Sequence, residues 1–371
     1  MALTERYVSS AAGGGGDGSS GSPWTWDEML SSAAAGDRCN VYGTFSLSSS
    51  DSAFSNDGTA TQPIIVRGCS SAGSITDGYQ GRTQGGAGPL DTTNMPAINY
   101  SSGKRLNTDT EYLVLESLNF TSTNCTNGVT LTGTDNVVIR CRMAMTGTGG
   151  TTNLYGNDYS FTVIDCDCFN TASGGGSSID IANETRYQAA YGCHAVCTSG
   201  SAINAGRAVV VGCVVYDSVI GIEDSTQYGM TTIANCTIYN CTTGIQTEDN
   251  ANRTYLSRVL GCHITDCTYG LVNDHIATSD VPIIRAYTRY RDNTSGNDDG
   301  GFGDWPEYGT ITTDSGDAAT DYNSTANDDY RLVNGAAGAD QGALAGDLGA
   351  LKEIEAGSGV LRRLARIYGG G

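Results

Sequence analysis

The chain has 371 residues and carries 20 Lys and Arg against 40 Asp and Glu, a formal net charge of −20. So acidic a balance argues against a nucleic-acid-binding role, which needs a basic face for counterion release, and against an anionic membrane surface. Charged residues make up only 16% while Gly contributes 51 positions and Pro only 6, so much of the surface must be Ser, Thr, Asn and Gly, as on β structure.

The N-terminus MALTERYVSSAAGGGGDG lacks a basic n-region and an apolar h-region, so the reading expects no signal peptide. Thirteen cysteines, an odd number, then read as reduced thiols rather than a disulfide framework. No apolar run approaches the roughly 20 residues of a membrane span.

Residues 1–37 read as a short strand at Tyr7–Val8, a Gly/Ser loop and a helix over 23–36. There Trp24, Met29, Leu30 and Ala33 fall on one helical face and Gly36 stops it. The expected role of this helix is to cap a stack of repeats, because the terminal unit of a stack must cover its core.

From residue 38 the chain becomes short β-rich runs, and a repeat emerges between 136 and 272. NVVIRCRM, FTVIDCDC, QAAYGCHA, VVVGCVVY, TTIANCTI and SRVLGCHI align on Cys141, Cys166, Cys193, Cys213, Cys236 and Cys262. The 20–27-residue spacing is that of one coil of a three-sided β-helix. Simple alternation puts Ile139, Ile164, Tyr191, Val211, Ala234 and Leu260 on the inward face with these cysteines. A second column follows at Gly128–Val129, Gly221–Ile222, Gly244–Ile245 and Gly270–Leu271, with Ser178–Ile179 and Ala202–Ile203 as looser members. Two registers at one period predict an all-β, right-handed parallel β-helix over 38–353, of roughly 9–11 coils about 4.8 Å apart.

The chain resembles the right-handed parallel β-helix repeat proteins of the pectate-lyase-like superfamily. The resemblance is carried by RYVSSAAGGGGDGSSGSPWTWDEMLSSAAAGDRCNVYGTFSL, by the repeat, and by the closing run Asp329–Glu353. That closing run departs from the family pattern at Ala337–Gly338–Ala339, where Pro-Ala-Ile is common. The resemblance implies the fold more than the activity, since the family holds lyases, hydrolases, epimerases and non-enzymatic virion proteins.

Cys166–Asp167–Cys168 and Cys193–His194–Ala195–Val196–Cys197 suggest metal ligands, but stacked residues form a line rather than a convergent site, and a ladder of free thiols fits better. Glu223–Asp224, Glu248–Asp249 and Asp274, with Asp180 nearby, form an expected acidic column. In register, these acids would suit a carboxylate pair or a Ca²⁺ site, otherwise a solubilised surface, which is the reading favoured. The catalytic candidates are therefore Glu223, Asp224, Glu248 and Asp249, and no cofactor beyond that Ca²⁺ alternative is expected.

Of the family's polygalacturonase motifs only Asn107–Thr108–Asp109 is present, and His194, His263 and His275 do not lie between glycines. Nor does the Arg/Asp-Ca²⁺ set of pectate lyases find a match. Residues 285–330, rich in Arg, Tyr, Asp and Trp, read as a surface loop or a sugar-binding segment.

Residues 354–371 read as a docking tail. Val360, Leu361, Leu364, Ile367 and Tyr368 recur at helical spacing among Arg362, Arg363 and Arg366. The tail would fold back on the acidic body or dock on a partner.

These features favour a non-enzymatic structural protein of a phage or phage-like virion: a capsid decoration protein, tail fibre or spike. It would be assembled in the host cytoplasm, as a homo-oligomer with other virion proteins and host-surface glycan as partners, without nucleic acid or membrane. The alternatives are a carbohydrate-active β-helix enzyme (polysaccharide lyase or glycoside hydrolase, including a virion depolymerase) and a surface adhesin.

Overall fold

The computed structural model describes residues 3–48, 51–83, 88–101, 103, 105–149, 152–156, 160–182, 188–225, 230–247 and 257–273. Beyond these it describes segments 283–286, 288–291, 293–299, 307–308, 322–324 and 329–332. The docking tail and the closing run after Leu332 lie outside the described residues.

Three parallel sheets run the length of a right-handed β-helix, with 12, 10 and 9 strands among the described residues. We call them sheets I, II and III. One coil shows the plan: Phe161–Ile164 in sheet I, Asp167–Asn170 in sheet II and Ser177–Ala182 in sheet III. Each strand pairs in parallel with its counterpart one coil on, as Val163 with Ala190, Cys168 with Ala195 and Ile179 with Ile203.

The inward rows form one continuous apolar cluster. Sheet I contributes Val138, Val163, Ala190, Val210, Ile233 and Val259, sheet II Met143, Cys168, Ala195, Val215, Ile238 and Ile264, and sheet III Leu154, Ile179, Ile203, Ile222, Ile245 and Leu271. Each fully buried aliphatic side chain of this kind contributes about 1.5–3 kcal/mol.

The six aligned cysteines are fully buried in this cluster and all are free thiols. Their sulfurs sit against main-chain carbonyls, as Cys166 Sγ on Ile164 O at 3.3 Å and Cys141 Sγ on Ile139 O at 3.4 Å. Burial pushes the Cys141 thiol up to about 12, so it is an inert protonated core group.

The residues two before each cysteine are not inward, which corrects the alternation used above. Ile139 and Ile164 belong to a separate outer cluster with Ile65 and Val114. The cause is the residue between. Arg140, Asp165 and Asn235 have φ of 52°, 49° and 51°, and Gly192, Gly212 and Gly261 have φ of 61°, 65° and 62°. One left-handed residue per coil turns the chain from sheet I into sheet II and reverses the parity, so the inward partner lies three residues before the cysteine.

The Gly column has a different cause. A methyl group on Gly221 would run into the carbonyl oxygen of Gly244, and one on Gly244 into that of Gly270. Coils approach too closely there for a Cβ.

At the N-terminal end Thr4–Ser9 pairs in parallel with Asp37–Tyr42. The helix is shorter than expected, Trp26–Ser32, and buries Trp26, Met29 and Leu30 in the main cluster. Thr25 and Glu28 close a capping box, with Glu28 N donating to Thr25 Oγ1 at 3.2 Å and Thr25 N to Glu28 Oε2 at 2.8 Å. Glu28 Oε1 also accepts from Gly15 N, tying the Gly/Ser loop to the helix.

The segment from 285, expected as a surface loop or a sugar-binding segment, begins as another coil. Ile283–Ala286, Arg289–Arg291 and Gly296–Asp299 extend sheets I, II and III. No helix among the described residues is long and apolar enough to cross a membrane.

Candidate active site on the outward face of sheet III

One outward row of sheet III contributes a residue from each coil in strict register. Thr130 pairs with Tyr155, Tyr155 with Asp180, Asp180 with Asn204, Asn204 with Glu223, and Glu223 with Gln246. The row is polar because the strands alternate: Ile179 and Ile222 point into the core, so Asp180 and Glu223 point out. From Tyr155 to Gln246 its members are half-buried.

Two carboxyl groups lie in this row two coils apart, about 9.6 Å at the backbone. Asp180 Oδ1 accepts from Ala182 N at 3.1 Å and from Asn204 Nδ2 at 3.4 Å. Asn204 Oδ1 in turn accepts from Ser225 Oγ at 2.5 Å, and Glu223 Oε2 accepts from Ser201 Oγ. Burial pushes Asp180 up from 3.8 to about 6, and the Glu223 charge adds to the rise against the pull of its two donors.

Of the two sequence candidates among the described residues, Glu223 stands on this face. Asp224 is wholly buried and turned inward, where its oxygens accept from Thr231 Oγ1 at 2.9 Å and from Ser257 Oγ. It is a core hydrogen-bond acceptor rather than a reagent. Glu248 and Asp249 lie outside the described residues, and the register sets Gln246 and Thr247 beside Glu223 and Asp224. Counted from the paired Ile222 and Ile245, Glu223 is the next residue whereas Glu248 is the third, so the expected column was out of register by two residues. Asp180, expected near the column, stands in the same row as Glu223, two coils away.

A second polar cluster sits at the corner between sheets I and II. Segment 69–96, described except for 84–87, leaves the coil of Ile64–Gly68 and reaches coils further along the solenoid. Arg82 Nε donates to Asp165 Oδ1 and Arg82 Nη1 to Asp167 Oδ1, both at 2.7 Å. Leu90 N donates to Asp167 Oδ2 at 2.6 Å and Tyr79 Oη to Asp165 Oδ2 at 3.1 Å. Arg140 stacks over the Tyr79 ring at 4.7 Å and pairs with Asp77 at 3.3 Å and with Glu116.

Here Asp167 and His194 are outward residues of sheet II, yet both are fully buried. Burial, and then the Arg82 charge, holds His194 well below its ordinary value, so it stays neutral. Cys168 and Cys193 point into the core, away from Asp167 and His194. Among the described residues no three His, Cys, Asp or Glu side chains are grouped to hold a metal ion. Sequence reading missed Arg82, whose only local signal was a Gly-rich surrounding.

No family model matches the chain, and no curated relative matches it. Its fold does match solved structures. A pectate lyase, Pel9A, superposes with a TM-score of 0.53 at 14% identity, over 95% of this chain and 97% of that one. A rhamnogalacturonan lyase superposes with a TM-score of 0.51 at 11% identity, over 89% and 95%.

The chain is thus a right-handed parallel β-helix of the pectate-lyase-like fold, as the resemblance implied. The non-enzymatic virion reading is corrected at this point. It rested on a rod without a catalytic set, whereas the two solved structures that share this fold over nearly the whole chain are a pectate lyase and a rhamnogalacturonan lyase, so the carbohydrate-active alternative takes its place as the reading to test.

Proposed function

We propose that the protein is a polysaccharide-cleaving enzyme whose substrate lies along the outward face of sheet III, with Asp180 as general acid and Glu223 as general base. The observation that carries this reading is the pair itself: two outward carboxyl groups two coils apart, one of them held near pH 6. Two coils, about 9.6 Å at the backbone, is close to the upper limit of the roughly 6.5–9.5 Å between the carboxyl groups of inverting glycosidases, which leave room for a water between sugar and base. Asp180 gives its proton to the leaving glycosidic oxygen as the C–O bond breaks. Glu223 takes a proton from the water whose oxygen bonds to the anomeric carbon. Solvent then returns a proton to Asp180 and removes one from Glu223.

Tyr155, one coil before Asp180, offers an aromatic surface with a polar tip beside the acid. Two acids in the row, on a body of net charge −20, favour a neutral or weakly charged glycan over a dense polyanion. The likeness to two lyases supports a polysaccharide as substrate class and supplies the second reading, elimination instead of hydrolysis at the same face.

The test is a panel of neutral and acidic polysaccharides, read for new reducing ends and for unsaturated uronide ends. The expected result is reducing ends without unsaturation, lowered about 10²–10⁴-fold by Asp180→Asn or by Glu223→Gln. Unsaturated ends would select elimination, and cleavage untouched by both substitutions would overturn the site.

A further inference from the structure

Asn204 stands between the two carboxyl groups, one coil from each. Its amide has a donor end and an acceptor end, and the surroundings distinguish them. Ser225 Oγ donates to Oδ1 at 2.5 Å, which leaves Nδ2 for Asp180 Oδ1 at 3.4 Å. The opposite orientation would set two acceptor oxygens against each other whenever Asp180 is ionised. Ala182 N donates to the same Oδ1 at 3.1 Å. Both donors therefore fall on one oxygen of Asp180, and among the described residues Oδ2 receives none. Glu223 is anchored separately, by Ser201 Oγ.

A carboxylic acid has one carbonyl-like oxygen that accepts and one hydroxyl oxygen that donates. Two N–H groups on Oδ1 mark it as the acceptor, so the proton belongs on Oδ2. We propose that Asn204 is a positioning residue that, together with Ala182 N–H, assigns the acidic proton of Asp180 to Oδ2 and keeps a non-titrating spacer between acid and base. This deepens the reading of Asp180 as the general acid and rests on it. The contact is at the long end of a hydrogen bond, so it biases Asp180 without holding it ionised. The titratable groups flanking Asp180 among the described residues are Tyr155, one coil before, and Glu223, two coils after. Asp224 faces the core.

The experiment is to titrate the Asp180 carboxyl by NMR in the wild-type chain, Asn204→Ala and Asn204→Gln, and to record pH–rate profiles on a cleaved glycan. Losing the donor should raise the Asp180 midpoint by about 0.5–1 pH unit in Asn204→Ala. It should also move the alkaline limb of kcat the same way and lower kcat about tenfold with KM little changed. Asn204→Gln, which keeps the amide, should recover part of both.

The titration needs no substrate. A shifted midpoint in a chain that cleaves no glycan would uphold the positioning role and sink the enzymatic reading. An Asp180-dependent enzyme whose midpoint and alkaline limb stay put in Asn204→Ala would sink the positioning role alone.

Discussion

Asp167 and Asp180 belong to consecutive strands of the same coil, and both point outward. Their fates differ. Asp167 is fully buried and both its oxygens are taken, by Arg82 and by Leu90 N, through a segment inserted several coils earlier. Asp180 is half-buried, has two donors crowded on one oxygen, and meets no cation among the described residues. An outward carboxyl on a β-helix is thus a structural anchor where a cation and a covering segment reach it. Where, among the described residues, neither arrives, it remains able to exchange a proton. The solenoid supplies the position, and what lies over it decides the chemistry.

Opposite responses to loss of charge would sharpen that contrast. Arg82→Ala leaves the buried Asp167 charge unpaired, and removing one partner of a buried pair costs about 3–5 kcal/mol. Urea unfolding should show a fall of that size, and limited proteolysis should cut within 69–96. A chain that keeps its stability and its protease resistance would mean that the cluster does not pin the segment. Asp167→Ala should behave similarly, because Arg82 then loses a buried counter-ion although Asp165 remains.

A change in the wall between the two regions should be intermediate. Gly221→Ala forces a methyl group against the Gly244 carbonyl and should cost about 1–3 kcal/mol by overpacking. It should also displace Glu223, so activity falls together with melting temperature. Activity retained at full stability would show that the coils can part there without loss.

The smallest effect carries the opposite sign. The Asp180 value is raised on folding, so the native chain holds more protons than the unfolded chain between about pH 3.8 and 6, and this group's contribution to stability declines as pH rises through that window. Asp180→Asn removes the charge and should melt slightly higher than wild type at pH 7 and no higher near pH 3.5. The same raised value predicts that kcat falls as pH rises through about 6, where the acid loses its proton. A substitution that destabilises at pH 7 would place Asp180 with Asp167 among the structural anchors.

Much of this was legible beforehand. The cysteine column and the Gly-aliphatic column recur once per coil and are local, so their period announced the stack, and Val129, Ile179, Ile203, Ile222, Ile245 and Leu271 do form one inward row. The parity error at Ile139 and Ile164 had a visible cause in retrospect. Arg, Asp, Gly and Asn alternate at the residue before each cysteine, and three of those four types are the ones that tolerate a left-handed turn. Reading that position as a corner would have turned the strand over.

By itself the sequence determined the coil period, the buried thiols and the polar character of one face, because each follows from the residue types repeated at short range. The Gly-aliphatic column already sets Asp180, Asn204, Glu223 and Gln246 one residue after Ile179, Ile203, Ile222 and Ile245. Only the tertiary structure decided which acids stay at the surface and which are enclosed, because Asp224 is buried and accepts hydrogen bonds from Thr231 and Ser257, which belong to later parts of the chain. The same holds for Arg82. Its reach to Asp165 and Asp167 depends on where an insertion lands on a surface built by later coils, and short-range sequence pattern carries no record of that distance.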